Sequence, residues 1–194
     1  MKVAVSVESG RIGVFFELLS TGVHVKTPTG VTLRDFLCAG LEIDPDYLDQ
    51  KIQTIFLNGK ALDDIDGAEL TDGSVVALSG AMPGLAGAVF RRGGVYASFR
   101  SNIASASKHF KGIAGEGTVL LKLFNQAAAD LGPLFLKKGV RVKGGTLSEF
   151  FKHNREKFEN MRALIEVEGK KYSFQEFLET DIFSDEAFLT VESI

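Results

Sequence analysis

The chain has one cysteine, Cys38, in 194 residues. No disulfide can form within it, and no cysteine cage for zinc or an iron–sulfur cluster can be built. Cys38 lies in TLRDFLCAGL, a stretch of helical spacing where a small buried apolar residue is common, and no neighbouring charge pattern argues for a lowered thiol pKa. Long hydrophobic runs are missing too. No apolar run approaches the roughly 18 residues of a membrane span, and the opening MKVAVSVESG lacks the charged, apolar and cleavage regions of a secretory signal. The expected location is therefore the cytoplasm, with no membrane as partner. Neither a GxxxxGK[ST] phosphate loop nor a GxSxG elbow is present, and the glycines of GAMPGLAGA do not match GxGxxG between a strand and a helix. His24, His109 and His153 fall in a strand, a connector and a helix, without partners at metal spacing. Asp63, Asp64 and Asp66 lie close together but lack the later glutamate and the loop length of a calcium hand, which makes them a solvated turn. These absences exclude the common routes to catalysis and predict a protein that is not an enzyme and uses no metal or cofactor.

What remains is an ordinary globular composition, 45% hydrophobic and 24% charged, in a chain long enough for one medium domain or two small ones. Its net charge of -3 is unevenly spread. Arg91, Arg92, Arg100, Lys108 and Lys111 lie between Gly80 and Gly115 with no acidic residue among them. Subtracting those five from -3 leaves -8 for everything else. A basic connector of this kind either docks on its own acidic neighbours or recruits an anionic partner.

Residues 2 to 8, KVAVSVE, alternate so that Val3, Val5 and Val7 share one face of a strand. IGVFFELLSTG after it suits a short buried helix or a second strand equally, and Gly22 ends it either way. GVHVKTP alternates again until Pro28, which has no backbone donor. Thr32 is placed to cap a helix whose Leu33, Phe36, Leu37 and Leu41 fall on one face. In IQTIFLNGKAL, Asn58-Gly59 is the favoured pair for a tight hairpin turn, and Asp72-Gly73 opens a last strand, SVVALSG. One helix packed across a mixed sheet buries one sheet face in about eighty residues.

The second half repeats this order. Gly139 to Lys143, GVRVK, matches Gly22 to Lys26, GVHVK, and Thr146 to Phe151 matches Thr32 to Leu37. Ala163 to Tyr172 matches Gln53 to Leu62, with Gly169-Lys170 where Gly59-Lys60 stands. Phe183 to Glu186 stands where Leu70 to Gly73 stands, and AFLTV supplies the last strand. Upstream, TVLLKLF matches the opening strand and NQAAADLG a short helix. The common order of these matches predicts a tandem duplication: an α+β protein with one domain at 1–80, a second at 117–194, and a connector at 81–116.

With strand, variable element, strand, helix, strand, short strand and strand in hand, the chain resembles the beta-grasp, ubiquitin-like fold. TDGSVVAL followed by a small-residue tail is similar to the sulfur-carrier branch, the molybdopterin-synthase small subunit and the thiamine sulfur carrier. The resemblance implies a tail ending in Gly-Gly, because a tail without side chains threads the activating enzyme's channel and its terminal carboxylate becomes the thiocarboxylate. Here the corresponding tail is Pro83-Gly84-Leu85-Ala86-Gly87-Ala88 with a whole second copy behind it, and the second copy stops at Val191-Glu192-Ser193-Ile194. A carrier role would require cleavage after Gly87 or after Gly94.

The connector, AVFRRGGVYASFRSNIASASKHFKGIAGEG, reads as a hairpin from Phe90 to Phe99 turning at Gly93-Gly94, then a helix from Asn102 to Lys111 capped by Ser101. Gly112, Gly115 and Gly117 give a flexible entry to the second copy. Met82, Leu85, Val89, Phe90, Tyr96 and Phe99 are too apolar for a solvated linker and need a cover. The expected function is a non-catalytic protein-binding or scaffold module with Met82, Leu85, Phe90, Arg91, Arg92, Tyr96, Phe99 and Arg100 as the contact surface. A doubled copy could also dimerise edge to edge. Aromatics interleaved with arginines could instead stack and neutralise single-stranded nucleic acid, although the acidic remainder argues against that partner.

Overall fold

A computed structural model of the chain describes residues 1–95, 115–161, 163–180 and 185–194. The protein is α+β, with mixed sheet and, among the described residues, ten strands and eight α-helices. The strands are β1 (Lys2–Val7), β2 (Val23–Pro28), β3 (Thr54–Leu57), β4 (Lys60–Ala61), β5 (Val75–Ser79), β6 (Glu116–Phe124), β7 (Val140–Lys143), β8 (Leu164–Val167), β9 (Lys170–Tyr172) and β10 (Glu186–Ser193). The helices are α1 (Phe16–Thr21), α2 (Leu33–Asp35), α3 (Pro45–Gln50), α4 (Gly84–Phe90), α5 (Asn125–Lys138), α6 (Gly144–His153), α7 (Arg155–Met161) and α8 (Phe174–Glu179). The stretch that read equally as helix or strand is helical, a 3-10 turn at Ile12–Phe15 running into α1. Among the described residues, no helix is long and apolar enough to cross a membrane.

The chain does not divide at residues 80 and 117. Its contacts group Met1–Val23 with Ala129–Ile194 as one compact unit and His24–Ala128 as the other. In the His24–Ala128 unit the strand order is β4-β3-β5-β6-β2. β5 and β6 run parallel, with Val75 opposite Leu120 and Ser79 opposite Phe124, while β3 pairs antiparallel with β5 and with β4. β6 alternates strictly, and its Val119, Leu121 and Leu123 are fully buried. Thr32 caps α2 by accepting from the Asp35 amide. The helix then widens into a π-helical turn over Phe36–Gly40, with Leu33, Phe36 and Leu37 in the core. Cys38 lies half-buried in that turn, and burial pushes its thiol up, away from the reactive thiolate.

In the other unit the order is β9-β8-β1-β10-β7. β1 runs parallel to β10, Lys2 opposite Phe188 and Val7 opposite Ser193, and antiparallel to β8. Val3, Val5 and Val7 are buried as their alternation demands, each contributing about 1.5–3 kcal/mol of apolar transfer. Over this sheet lies a cluster of phenylalanines. Phe151 meets Phe158 at 4.9 Å and Phe177 at 5.0 Å, Phe158 stacks on Phe174 at 5.3 Å, and Phe15 closes the cluster 5.5 Å from Phe158. Centroid separations in this range suit edge-on and tilted aromatic packing. Asn154, itself buried, donates to the Phe150 carbonyl and to the Glu17 carboxylate and accepts from Lys157, so the join between α6 and α7 leaves its amide satisfied.

The five-strand orders of the two units match position for position. β4, β3, β5, β6 and β2 stand as β9, β8, β1, β10 and β7 do. Each has an antiparallel hairpin at one end, an antiparallel pair beside it and a parallel pair at the centre. In each, that central parallel pair takes one strand from the first half of the chain and one from the second. Both short hairpins also match: Asn58-Gly59 and Glu168-Gly169 carry positive φ at both turn residues, which the right-handed strand twist favours.

Candidate partner-binding surface

Beyond β5 the chain passes Pro83 and forms α4, so the segment matching a carrier's tail is helical here, not an extended strip. A Cβ at Gly87 would collide with the Met82 carbonyl, which makes Gly87 the residue that lets this turn close. Phe90, expected to open a hairpin, instead ends α4, with its ring 5.4 Å from that of Phe56 on β3. Seven residues are too few for a helix that stands alone in water, so α4 depends on this contact and on the residues just past its C-terminus.

Those residues form an anchor. The Arg92 amide donates to the Gln53 carbonyl at 2.7 Å, the Arg92 guanidinium donates through Nη2 to Asp49 Oδ1 at 2.8 Å, and the Gly93 amide donates to Asp63 Oδ1 at 3.0 Å. Asp49 is also gripped by Arg34, whose Nη1 and Nη2 lie 3.3 and 3.2 Å from its two oxygens, while Arg34 Nε donates to Asp66 at 2.6 Å. One carboxylate therefore bridges two guanidiniums. Its carboxyl is held below the usual carboxylate range, first by the Arg34 hydrogen bond and then, against desolvation, by Arg92. The Arg34 guanidinium is raised by the same pairs, Asp66 first. The cluster Asp63, Asp64 and Asp66 is accordingly not a merely solvated turn. Asp64 accepts from the amides of Asp66 and Gly67, Asp66 pairs with Arg34, and Asp63 holds the connector.

Comparison with protein-family models, with curated proteins and with solved structures gives no match to this chain. The surface is thus defined by its own geometry.

Of the expected contact residues, Leu85 is 78% exposed and Arg91 is exposed, Met82 is half-buried, Phe90 packs on Phe56, and Arg92 is only 16% exposed on its salt bridge. Tyr96, Phe99 and Arg100 lie outside the described residues, as do the expected helix from Asn102 to Lys111 and His109. The adjacent Val95, not singled out in the sequence, is 91% exposed. The platform of Asp49, Gln53, Phe56 and Asp63 was also missed. Its one sequence signal was the charge contrast between the connector and the rest of the chain. Among the described residues no group of three or more His, Cys, Asp or Glu side chains could hold a metal ion. His24 lies on β2 and His153 at the end of α6.

Proposed function

We propose that this chain is a non-catalytic protein-binding module made of two beta-grasp units, and that its contact surface runs from α4 to Val95. The observation that carries the reading is a short segment fixed at Phe90, Arg92 and Gly93 that nevertheless presents Leu85 and Val95 to solvent at 78% and 91% exposure. Large apolar side chains held out on an anchored backbone lose little conformational freedom when a partner covers them. The connector's run of basic residues without an acid fits a partner whose apolar patch is rimmed by carboxylates.

Two features support the beta-grasp reading of each unit. Helix α6 buries Leu147, Phe150 and Phe151 in one unit, and the five-strand runs of the two units share one strand order. The carrier alternative has less behind it, since Gly87 sits in α4 and is buried. Nucleic-acid stacking draws no support from Phe90, whose ring is already engaged by Phe56.

The test replaces Leu85 and Val95 by Asp and Arg91 by Glu, leaving Phe90 and Arg92 in place. A partner captured from the native host by the wild-type chain should be lost with the triple variant while its thermal transition is unchanged. Retention of the same partner by a folded triple variant would remove this surface from consideration.

A further inference from the structure

In the His24–Ala128 unit, the strand between β5 and β2 is β6, which the second half of the chain supplies. Without it, β5 and β2 would each expose an unpaired edge, and the trough filled by Val119, Leu121 and Leu123 would stand open. The other unit has the reciprocal need. Its strand between β10 and β8 is β1, from the first half, which brings Val3, Val5 and Val7, and the adjoining segment adds Phe15, Leu18 and Leu19 to the core. An open sheet slot with two free edges and an apolar floor is an aggregation-prone surface, not a stable domain.

We infer that the two halves of the chain, residues 1–95 and 115–194, are one another's binding partners. Neither folds alone, each inserts a strand into a slot of the other, and a backbone cut between residues 95 and 115 leaves a two-chain complex instead of releasing two domains. The fit is specific because the inserted strands are central and paired on both sides, with a register of five residue pairs for β6 on β5 and six for β1 on β10. The inference does not depend on the protein-binding reading above. It bears on the carrier alternative, since a cut after Gly94 would leave the first fragment holding β6 of the second.

The test uses the full chain with a sequence-specific protease site placed between residues 95 and 115, cut until no intact chain remains on a denaturing gel. Gel filtration should show one particle containing both fragments at the elution volume of the uncut protein. Each fragment, separated in urea and returned alone to buffer, should show no cooperative thermal transition, and mixing the two should restore one. Separation or precipitation of the cut protein in native buffer would overturn the inference. So would either fragment folding by itself, because two finished domains that merely adhere would do that. The same experiment leaves the contact-surface reading untouched, which is decided by partner capture with the uncut chain.

Discussion

Asp49 holds two guanidiniums with one carboxylate, and its replacement separates their roles. In Asp49→Asn the amide oxygen can still accept one hydrogen bond, but the charge is gone, and Arg92 loses its ionic partner. Because the Asp49 side chain is 45% exposed, solvent screening limits the global cost to about 1 kcal/mol or less. The effect is local, at the anchor. A carboxyl whose folded pKa is depressed contributes above its unfolded value of roughly 3.9 and loses that contribution as pH falls through the lower folded value. The Arg92 guanidinium resonances should therefore stay constant from neutrality to about pH 4 and move below it, and should lose that step in Asp49→Asn. A step centred above the ordinary carboxylate range would show that another group controls the anchor.

The glycines offer a second residue-scale comparison. Gly59 and Gly169 have φ of 77° and 83° with nothing within 4 Å of where a Cβ would stand, whereas Gly139, at 97°, would drive a Cβ into the Phe188 ring. Alanine at Gly59 or Gly169 therefore tests backbone strain alone, on the order of 1–2 kcal/mol. Gly139→Ala adds a steric clash, and its thermal midpoint should fall further than that of either hairpin variant. Equal losses at all three positions would mean that Phe188, which also lies under the Arg141 guanidinium at 5.8 Å, swings away freely.

At the scale of elements, most of what the sequence predicted is present because the signals were local. Alternating valines gave β1, Thr32 gave the cap of α2, and Asn58-Gly59 gave its hairpin, each decided by a few adjacent residues. Glu168 was not an obvious turn residue, yet it takes φ of 48° and its carboxylate accepts from the Lys2 amide at 2.7 Å. That distant partner explains why a glutamate occupies a position where asparagine is favoured. The connector was least legible for the same reason. Adjacent arginines look alike in sequence, and only the position of Asp49 makes Arg92 an anchor while Arg91 stays on the surface. Helix α4 is too short to persist by propensity, so Phe90→Ala combined with Arg92→Ala should release it. The expected readout is loss of hydrogen-exchange protection at the Arg91 amide, which donates to Gly87, with β3 and β5 amides still protected. If the Arg91 amide stayed protected in the double variant, α4 would have to be held by other contacts.

At the scale of the whole molecule, the α+β class and the alternating strands were readable but the threading was not. Two copies of one pattern imply two domains in chain order, since local signals cannot say which of two similar apolar strands fills a given slot. β1 and β6 have the same alternating burial, three buried valines in one and Val119, Leu121 and Leu123 in the other. Their exchange is decided by pairing over long sequence separations, a non-local property. The difference is measurable in one variant. Val5→Asp puts a charge on the core face of β1, where an unpaired buried carboxylate costs several kcal/mol. With β1 between β10 and β8, protection should fall first and most in 164–167 and 186–193, at the opposite end of the chain from the substitution. Chain-order domains place the loss in 23–28 and 75–79 instead. Should Val5→Asp prove insoluble, Val5→Ala removes two methyl groups for about 1–2 kcal/mol and must show the same distribution at smaller amplitude, because it is the location of the loss that identifies the strands β1 supports.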